Sequence, residues 1–383
     1  MSNNWRENLP PSLLPTGSKE IYPRPNPDNA LFMVEGNLTV WPNKILNAHG
    51  LDYDDVALCP HTTALSTRKG FDFSVDIGKH SFPTRIMTAN MDIASESFAR
   101  EVYRCGGIPT FPAAKDGEIA ELCQIASRLS RDGVIAMYSV NSKGDPLENA
   151  RMLADNGAEH VIIEIAHGGL DDYLRLGVGI KEETGMFVIA GNVSESSQID
   201  WYNKYGIDAA KLSIGTGSIC ITPVQTGIYG STLSSILAAR EANSRSSGHK
   251  TMLIADGGIK HSGDLVKALV AGADIGMMGG QFAHTVEASG ELDEQGNRVY
   301  YGSASDLSMQ KRGKEKSKNS GAEGVVGSVK VTETVQELIE KYWAGASSAS
   351  TYLDGTNIEE MTQNAVFKMV SENSFRKSHA HVG

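Results

Sequence analysis

The chain has 383 residues, 40% of them hydrophobic and 21% charged, with 40 glycines and a formal net charge of −11. That is the composition of a globular α/β protein, and no apolar run approaches the ~20 residues that a membrane span requires. The acidic balance argues against a general nucleic-acid or acidic-membrane partner, and leaves a small anion held by local groups as the expected ligand class.

Residues 1–50 are rich in Pro, Asn and Gly and read as an N-terminal arm. They open on Met1-Ser2-Asn3-Asn4-Trp5-Arg6-Glu7, without the basic flank and apolar stretch of a secretory leader, so a cytoplasmic protein is expected. Beyond Asp54, short apolar runs of β type occur at 85–88, 107–111, 134–140, 160–165, 187–190, 209–213, 252–255 and 275–278. Helical patterns lie between them at 95–104, 117–129, 146–156, 170–184, 194–205, 231–243 and 262–271. Strand and helix alternating over eight strands predict a (β/α)8 TIM barrel across 51–355, with a last helix near 331–342 and a polar C-terminal tail at 356–383.

An open doubly wound sheet would show the same alternation. The barrel is favoured because no GxGxxG follows the first strand, and because the chemically interesting residues follow many different strands.

The four cysteines, Cys59, Cys105, Cys123 and Cys220, show neither CxxC spacing nor a metal-ligand rhythm, so neither disulfides nor zinc are expected. Cys220 stands apart. It lies in Gly215-Thr216-Gly217-Ser218-Ile219-Cys220-Ile221-Thr222, a glycine turn between the sixth expected strand and a helical segment. Glycines allow the backbone to approach a ligand closely, and a helix start behind them favours negative charge, so the segment reads as a nucleophile beside an anion-binding loop.

Two more glycine turns, Asp256-Gly257-Gly258-Ile259 and Met278-Gly279-Gly280, follow the seventh and eighth strands. These are the loops where barrels usually hold phosphate. Ser218 adds a hydroxyl from the preceding loop, and Asp256 is placed to accept from the two hydroxyls of a ribose.

Together these three segments resemble the IMP dehydrogenase/GMP reductase family. Further matches are Leu51-Asp52-Tyr53-Asp54-Asp55-Val56, Ala89-Asn90-Met91-Asp92 and Ala190-Gly191-Asn192-Val193, and the resemblance runs from about residue 50 to 355. Asn90, Lys115, Ala166 and Gly279-Gly280 look like the reductase branch, and no regulatory insert interrupts the barrel. The water-activating Arg-Tyr pair of the dehydrogenases does not occur between Met309 and Glu323, whereas a reductase has no hydrolytic step to serve.

The resemblance implies NADPH-dependent reductive deamination of GMP to IMP and ammonia through a covalent thioimidate on Cys220. Thr222 and Glu323 match the pair that moves the protons. Ser218, Asp256, Gly257, Gly258, Gly279, Gly280, Tyr301, Ser303 and Ala304 are then the expected substrate-binding residues. Asn90, Lys115, Glu164 and Ala166 are expected to meet the cofactor. The carbonyls of Gly215, Gly217 and Cys220 match a monovalent-cation site that usually holds potassium, and the family's usual state is a homotetramer.

The resemblance also leaves room for a dehydrogenase lacking the regulatory domain, or for a barrel that binds purine nucleotides without turning them over. Pro223 stands where reductases usually carry arginine, Ile228-Tyr229-Gly230 replaces the usual end of that loop, and Ser320 replaces a second arginine. These departures touch base recognition and leave the nucleophile in place. The basic run Lys311, Arg312, Lys314, Lys316 and Lys318 reads first as a solvated loop, with a sleeve for the cofactor's 2′-phosphate as the alternative.

Overall fold

The computed structural model describes residues 50–372 apart from 116, 142–143, 303–304, 306 and 309–322, together with residue 374. The N-terminal arm, Ser303, Ala304, Ser320 and the 311–318 basic run lie outside the described residues. A short strand β1 (Val56–Leu58) and a hairpin, β2 (Val75–Ile77) and β3 (His80–Phe82), precede the barrel.

The barrel strands are β4 (Ile86–Thr88), β5 (Thr110–Phe111), β6 (Met137–Val140), β7 (His160–Glu164), β8 (Phe187–Val193), β9 (Ala209–Leu212), β10 (Met252–Asp256) and β11 (Ile275–Met278). Their order is β4-β11-β10-β9-β8-β7-β6-β5, all parallel. The ends of that sheet meet: Met87 bridges to Ile108, whose amide donates to the Ile86 carbonyl, while the Thr88 amide donates to the Ile108 carbonyl at 3.0 Å. The eight strands therefore close into the expected (β/α)8 barrel.

Period-2 alternation explains why these runs become strands with two buried faces. In β7, Val161 and Ile163 pack outward against the helices, while Ile162 points inward to join Met87, Met137, Ile189, Ala209, Ile254, Ile275 and Met277. Between the strands lie α1 (Glu96–Arg104), α2 (Ile119–Arg131), α3 (Pro146–Asp155), α4 (Asp171–Thr184), α5 (Ser196–Tyr205), α6 (Thr222–Thr226), α7 (Thr232–Arg245), α8 (Ser262–Ala271) and the single turn α9 (Gly280–Ala283). Local signals set their starts: the Ser95 hydroxyl accepts the Phe98 amide ahead of α1, and Asp145 caps α3 with Pro146 in its first turn.

Three features differ from the sequence expectations. The β2–β3 hairpin was not anticipated; its Val75, Ile77 and Phe82 join the inner barrel cluster and plug one end of it. The last long helix, α10, spans Val335–Tyr352, beginning four residues later and continuing well past residue 342, because Ala346, Ser347 and Ser350 extend its buried face. The tail expected at 356–383 begins as folded structure: α11 (Ile358–Asn364) buries Ile358 and Met361, and the strand Phe367–Met369 pairs antiparallel with β1. Among the described residues no helix is long and apolar enough to cross a membrane.

His160 opens β7 behind the hairpin, 2% exposed, with Nε2 3.4 Å from the Ile77 carbonyl. Burial lowers its pKa to about 4, opposed in part by that carbonyl. A buried neutral imidazole stabilises the fold fully above the unfolded-state value near ~6.5 and progressively less below it, as the unfolded chain takes up the proton first. Denaturant unfolding should therefore lose about 1.4 kcal/mol per pH unit between about pH 6.5 and pH 4 from this group. A His160→Gln variant measured over the same range should show a slope shallower by that amount.

Candidate active site

Strand β9 ends at Leu212, and the chain turns through Ser213 and Gly215, both at positive φ, before reaching Cys220. Here the helix expected behind the nucleophile proves to be α6, one five-residue turn with Pro223 near its start, ended by Gly227 in the left-handed region. The longer α7 begins only at Thr232. The anion-binding argument from a helix start therefore contributes little at Cys220. Backbone pairing with a distant segment shapes the site instead.

Residues 323–325 lie alongside 219–221. The Ile221 amide donates to the Glu323 carbonyl at 2.8 Å, the Val325 amide donates to the Ile219 carbonyl at 2.9 Å, and Cys220 and Gly324 form an antiparallel bridge. This register brings the Glu323 carboxylate to the nucleophile loop. The Thr222 hydroxyl donates to Glu323 Oε2 at 2.6 Å, and Cys220 Sγ lies 3.2 Å from the same hydroxyl. Thiol, hydroxyl and carboxylate thus form a continuous proton path across 101 positions of sequence.

All three line one cavity of about 430 Å³ at the C-terminal ends of the barrel strands. Ser218, Asp256, Gly257, Gly258, Gly279 and Gly280 line it as well, together with Asn90, Glu164 and Ala166. Close approach explains the glycines: a β-carbon at Gly257 would stand 2.5 Å from Thr216 Oγ1, and one at Gly279 would stand 2.6 Å from the Tyr300 hydroxyl. A β-carbon at Gly280 would come 3.6 Å from Ser218 Oγ, so the loops after β9 and β11 meet at that hydroxyl.

Two expected residues lie elsewhere. Lys115, in the loop after β5, does not line the cavity. The Tyr301 hydroxyl donates to Asp92 at 2.9 Å beside a separate small cleft, and its neighbour Tyr300 forms the cavity wall instead, because alternation along the strand Arg298–Tyr301 points the two rings to opposite sides. Pro223 is also absent from the lining: its ring abuts Gly215, leaving no room there for a side chain.

Tyr300 and Lys211 also line the cavity without having been singled out in the sequence, and so does Asn192, which the sequence offered only within a motif. Lys211 carried a signal, a single cation inside the apolar strand Ala209-Ala210-Lys211-Leu212. It is 5% exposed.

The family model described as IMP dehydrogenase / GMP reductase domain matches residues 50–381. The chain belongs to the IMP dehydrogenase/GMP reductase family. Among its relatives, a GMP reductase of Streptococcus pneumoniae is 34% identical over 66% of this chain and 77% of its own length. A GMP reductase of Streptococcus agalactiae is 30% identical over 81% of this chain and 92% of its own length. Among solved structures, a cysteine-to-alanine variant of GMP reductase from Trypanosoma brucei, in complex with guanosine 5′-monophosphate, superposes with a TM-score of 0.78, covering 88% of this chain and 98% of that one. That pair is 21% identical, a likeness of fold.

The Gly217 carbonyl accepts the Cys220 amide at 3.0 Å, which uses one of its two lone pairs. Glu164 lines the cavity, and its Oε2 is buried without a hydrogen-bond partner among the described residues. Such an acceptor suits an amide donor on a bound molecule.

Two of the other thiols, Cys105 and Cys123, provide an internal control for Cys220. Burial, reinforced by Glu101, pushes Cys105 up to about 11, and burial also raises Cys123. Alkylation with limiting iodoacetamide at about pH 8, followed by peptide mapping, should modify Cys220 at least about tenfold faster than Cys105 or Cys123. Equal labelling of the three would contradict this environment.

Proposed function

We propose that the chain is a GMP reductase, converting GMP to IMP and ammonia with NADPH as reductant. The observation that carries this reading is the Cys220–Thr222–Glu323 path inside a cavity whose other loops suit a nucleotide. The relatives named GMP reductase support the same assignment.

The phosphate is assigned to Ser218 with the Gly257-Gly258 and Gly279-Gly280 turns, and the ribose to Asp256. Cys220 sulfur then bonds to C2 of the purine. The thiol proton passes through Thr222 to Glu323 as the sulfur bonds, the C2–N bond to the exocyclic amine breaks, and the proton returns along the same path so that the nitrogen departs as ammonia. A carbon–sulfur bond now holds the purine as a thioimidate.

When bound, NADPH supplies the hydride that reduces C2, after which the carbon–sulfur bond breaks and Cys220 is regenerated. Asn90, Glu164 and Ala166 are the residues assigned to the nicotinamide half, with the unpaired Glu164 oxygen as acceptor for its carboxamide. Carbonyls of Gly215, Gly217 and Cys220 are assigned to potassium, which would stiffen the loop that carries the nucleophile.

Incubation with GMP and NADPH should consume reduced cofactor and release ammonia in equal amounts, whereas reduction of NAD⁺ with IMP would support a dehydrogenase. Cys220→Ala should abolish turnover. Thr222→Val and Glu323→Gln should each lower kcat by about 10²–10⁴ with little change in KM, as expected for proton transfer in the transition state.

A further inference from the structure

Lys211 is the most deeply buried cation at the cavity, and nothing in the mechanism above uses it. It occupies the inward-facing side of β9, above Ala209 in the inner core, while Ala210 and Leu212 pack outward. Space for it comes from the neighbouring strand: Lys211 pairs in register with Gly191, where a β-carbon would stand 2.7 Å from the Lys211 β-carbon. A lysine in a barrel interior surrenders its hydration, and partners must replace the lost water.

Those partners are two residues of the cavity wall. Lys211 Nζ lies 3.5 Å from Asp256 Oδ2 and 3.4 Å from Asn90 Oδ1, while Asn90 Nδ2 donates to Ser139 Oγ at 3.0 Å. Asn192 Nδ2 donates to the same Asp256 oxygen at 2.9 Å. Both donors therefore address Oδ2, and Oδ1 of Asp256 has no hydrogen-bond partner among the described residues. The Asp256 side chain is 21% exposed and that of Lys211 6%, so the carboxylate meets the cavity with the lysine beneath it.

We propose that Lys211 is a positioning residue: by holding Oδ2 of Asp256 from below, it presents Oδ1 to the ribose hydroxyls of the bound nucleotide. The proposal rests on the nucleotide reading given above. It makes ribose discrimination a property of β9 as well as of Asp256. Without the lysine, the carboxylate keeps only Asn192, and nothing holds its free oxygen toward the sugar against rotation into the space vacated below.

Equilibrium titrations of GMP, 2′-deoxy-GMP and 3′-deoxy-GMP in the absence of reductant test it. Wild-type protein should bind GMP about tenfold or more tightly than either deoxy analogue, the size of a hydrogen bond to a charged acceptor. Lys211→Met should shrink that ratio to within about twofold, while Lys211→Arg should retain most of it. In an Asp256→Asn background, Lys211→Met should change the ratio no further.

Lys211→Gln, which keeps a donor-bearing chain without the charge, replaces the methionine variant if thermal unfolding shows that variant to be misfolded, and the same collapse of the ratio is expected. A folded Lys211→Met or Lys211→Gln protein with the wild-type ratio would overturn the proposal. Absence of GMP binding by the wild type would instead overturn the nucleotide reading, and this proposal with it.

Discussion

Antiparallel contact between residues 219–221 and 323–325 is the constraint on which the site depends. Two backbone hydrogen bonds, from Ile221 to Glu323 and from Val325 to Ile219, fix that register. A slip of one residue would send the Glu323 side chain to the opposite face and break its 2.6 Å bond with Thr222. A side chain positioned by main-chain pairing is held more rigidly than one on an isolated loop, and proton transfer requires such fixed distances.

The barrel beneath provides the fixed end of this arrangement. Its interior is filled by Met87, Met137, Ile162, Ile189, Ile254 and Ile275 and plugged at one end by the 75–82 hairpin, so loops at the other end stand on a packed core. At the chemical end the apolar filling gives way to Lys211, Asn90, Asn192 and Asp256, a connected polar layer. Buried polar groups are tolerated there because they satisfy one another, and the partly exposed Asp256 lines the cavity. The same strand, β9, supplies core with Ala209 and charge with Lys211 two residues later, because period-2 alternation returns both to the inner face.

Site legibility in the sequence varied with the kind of signal. Residues in or near glycine turns, such as Cys220, Ser218, Gly257 and Gly279, could be recognised because close backbone approach demands glycine locally. Neither Tyr300 nor Tyr301 carries a local mark, and which of two adjacent tyrosines faces the cavity is decided by strand register alone. Lys115 follows a strand, as residues of a barrel mouth do, yet it does not line the cavity. Asn192 gains its role only when β8 lies beside β9, which the local sequence does not specify.

Taken alone, the amino-acid sequence determined the alternation of strand and helix, the nucleophile loop and the glycine turns, because each is written in short-range periodicity and composition. Tertiary structure decided which side chains meet: Glu323 with Thr222 across 101 positions, Lys211 with Asp256 and Asn90, and the strand Phe367–Met369 with β1. Such pairings depend on strand register and barrel closure, which arise from contacts between residues far apart in the chain, and no local pattern carries that information.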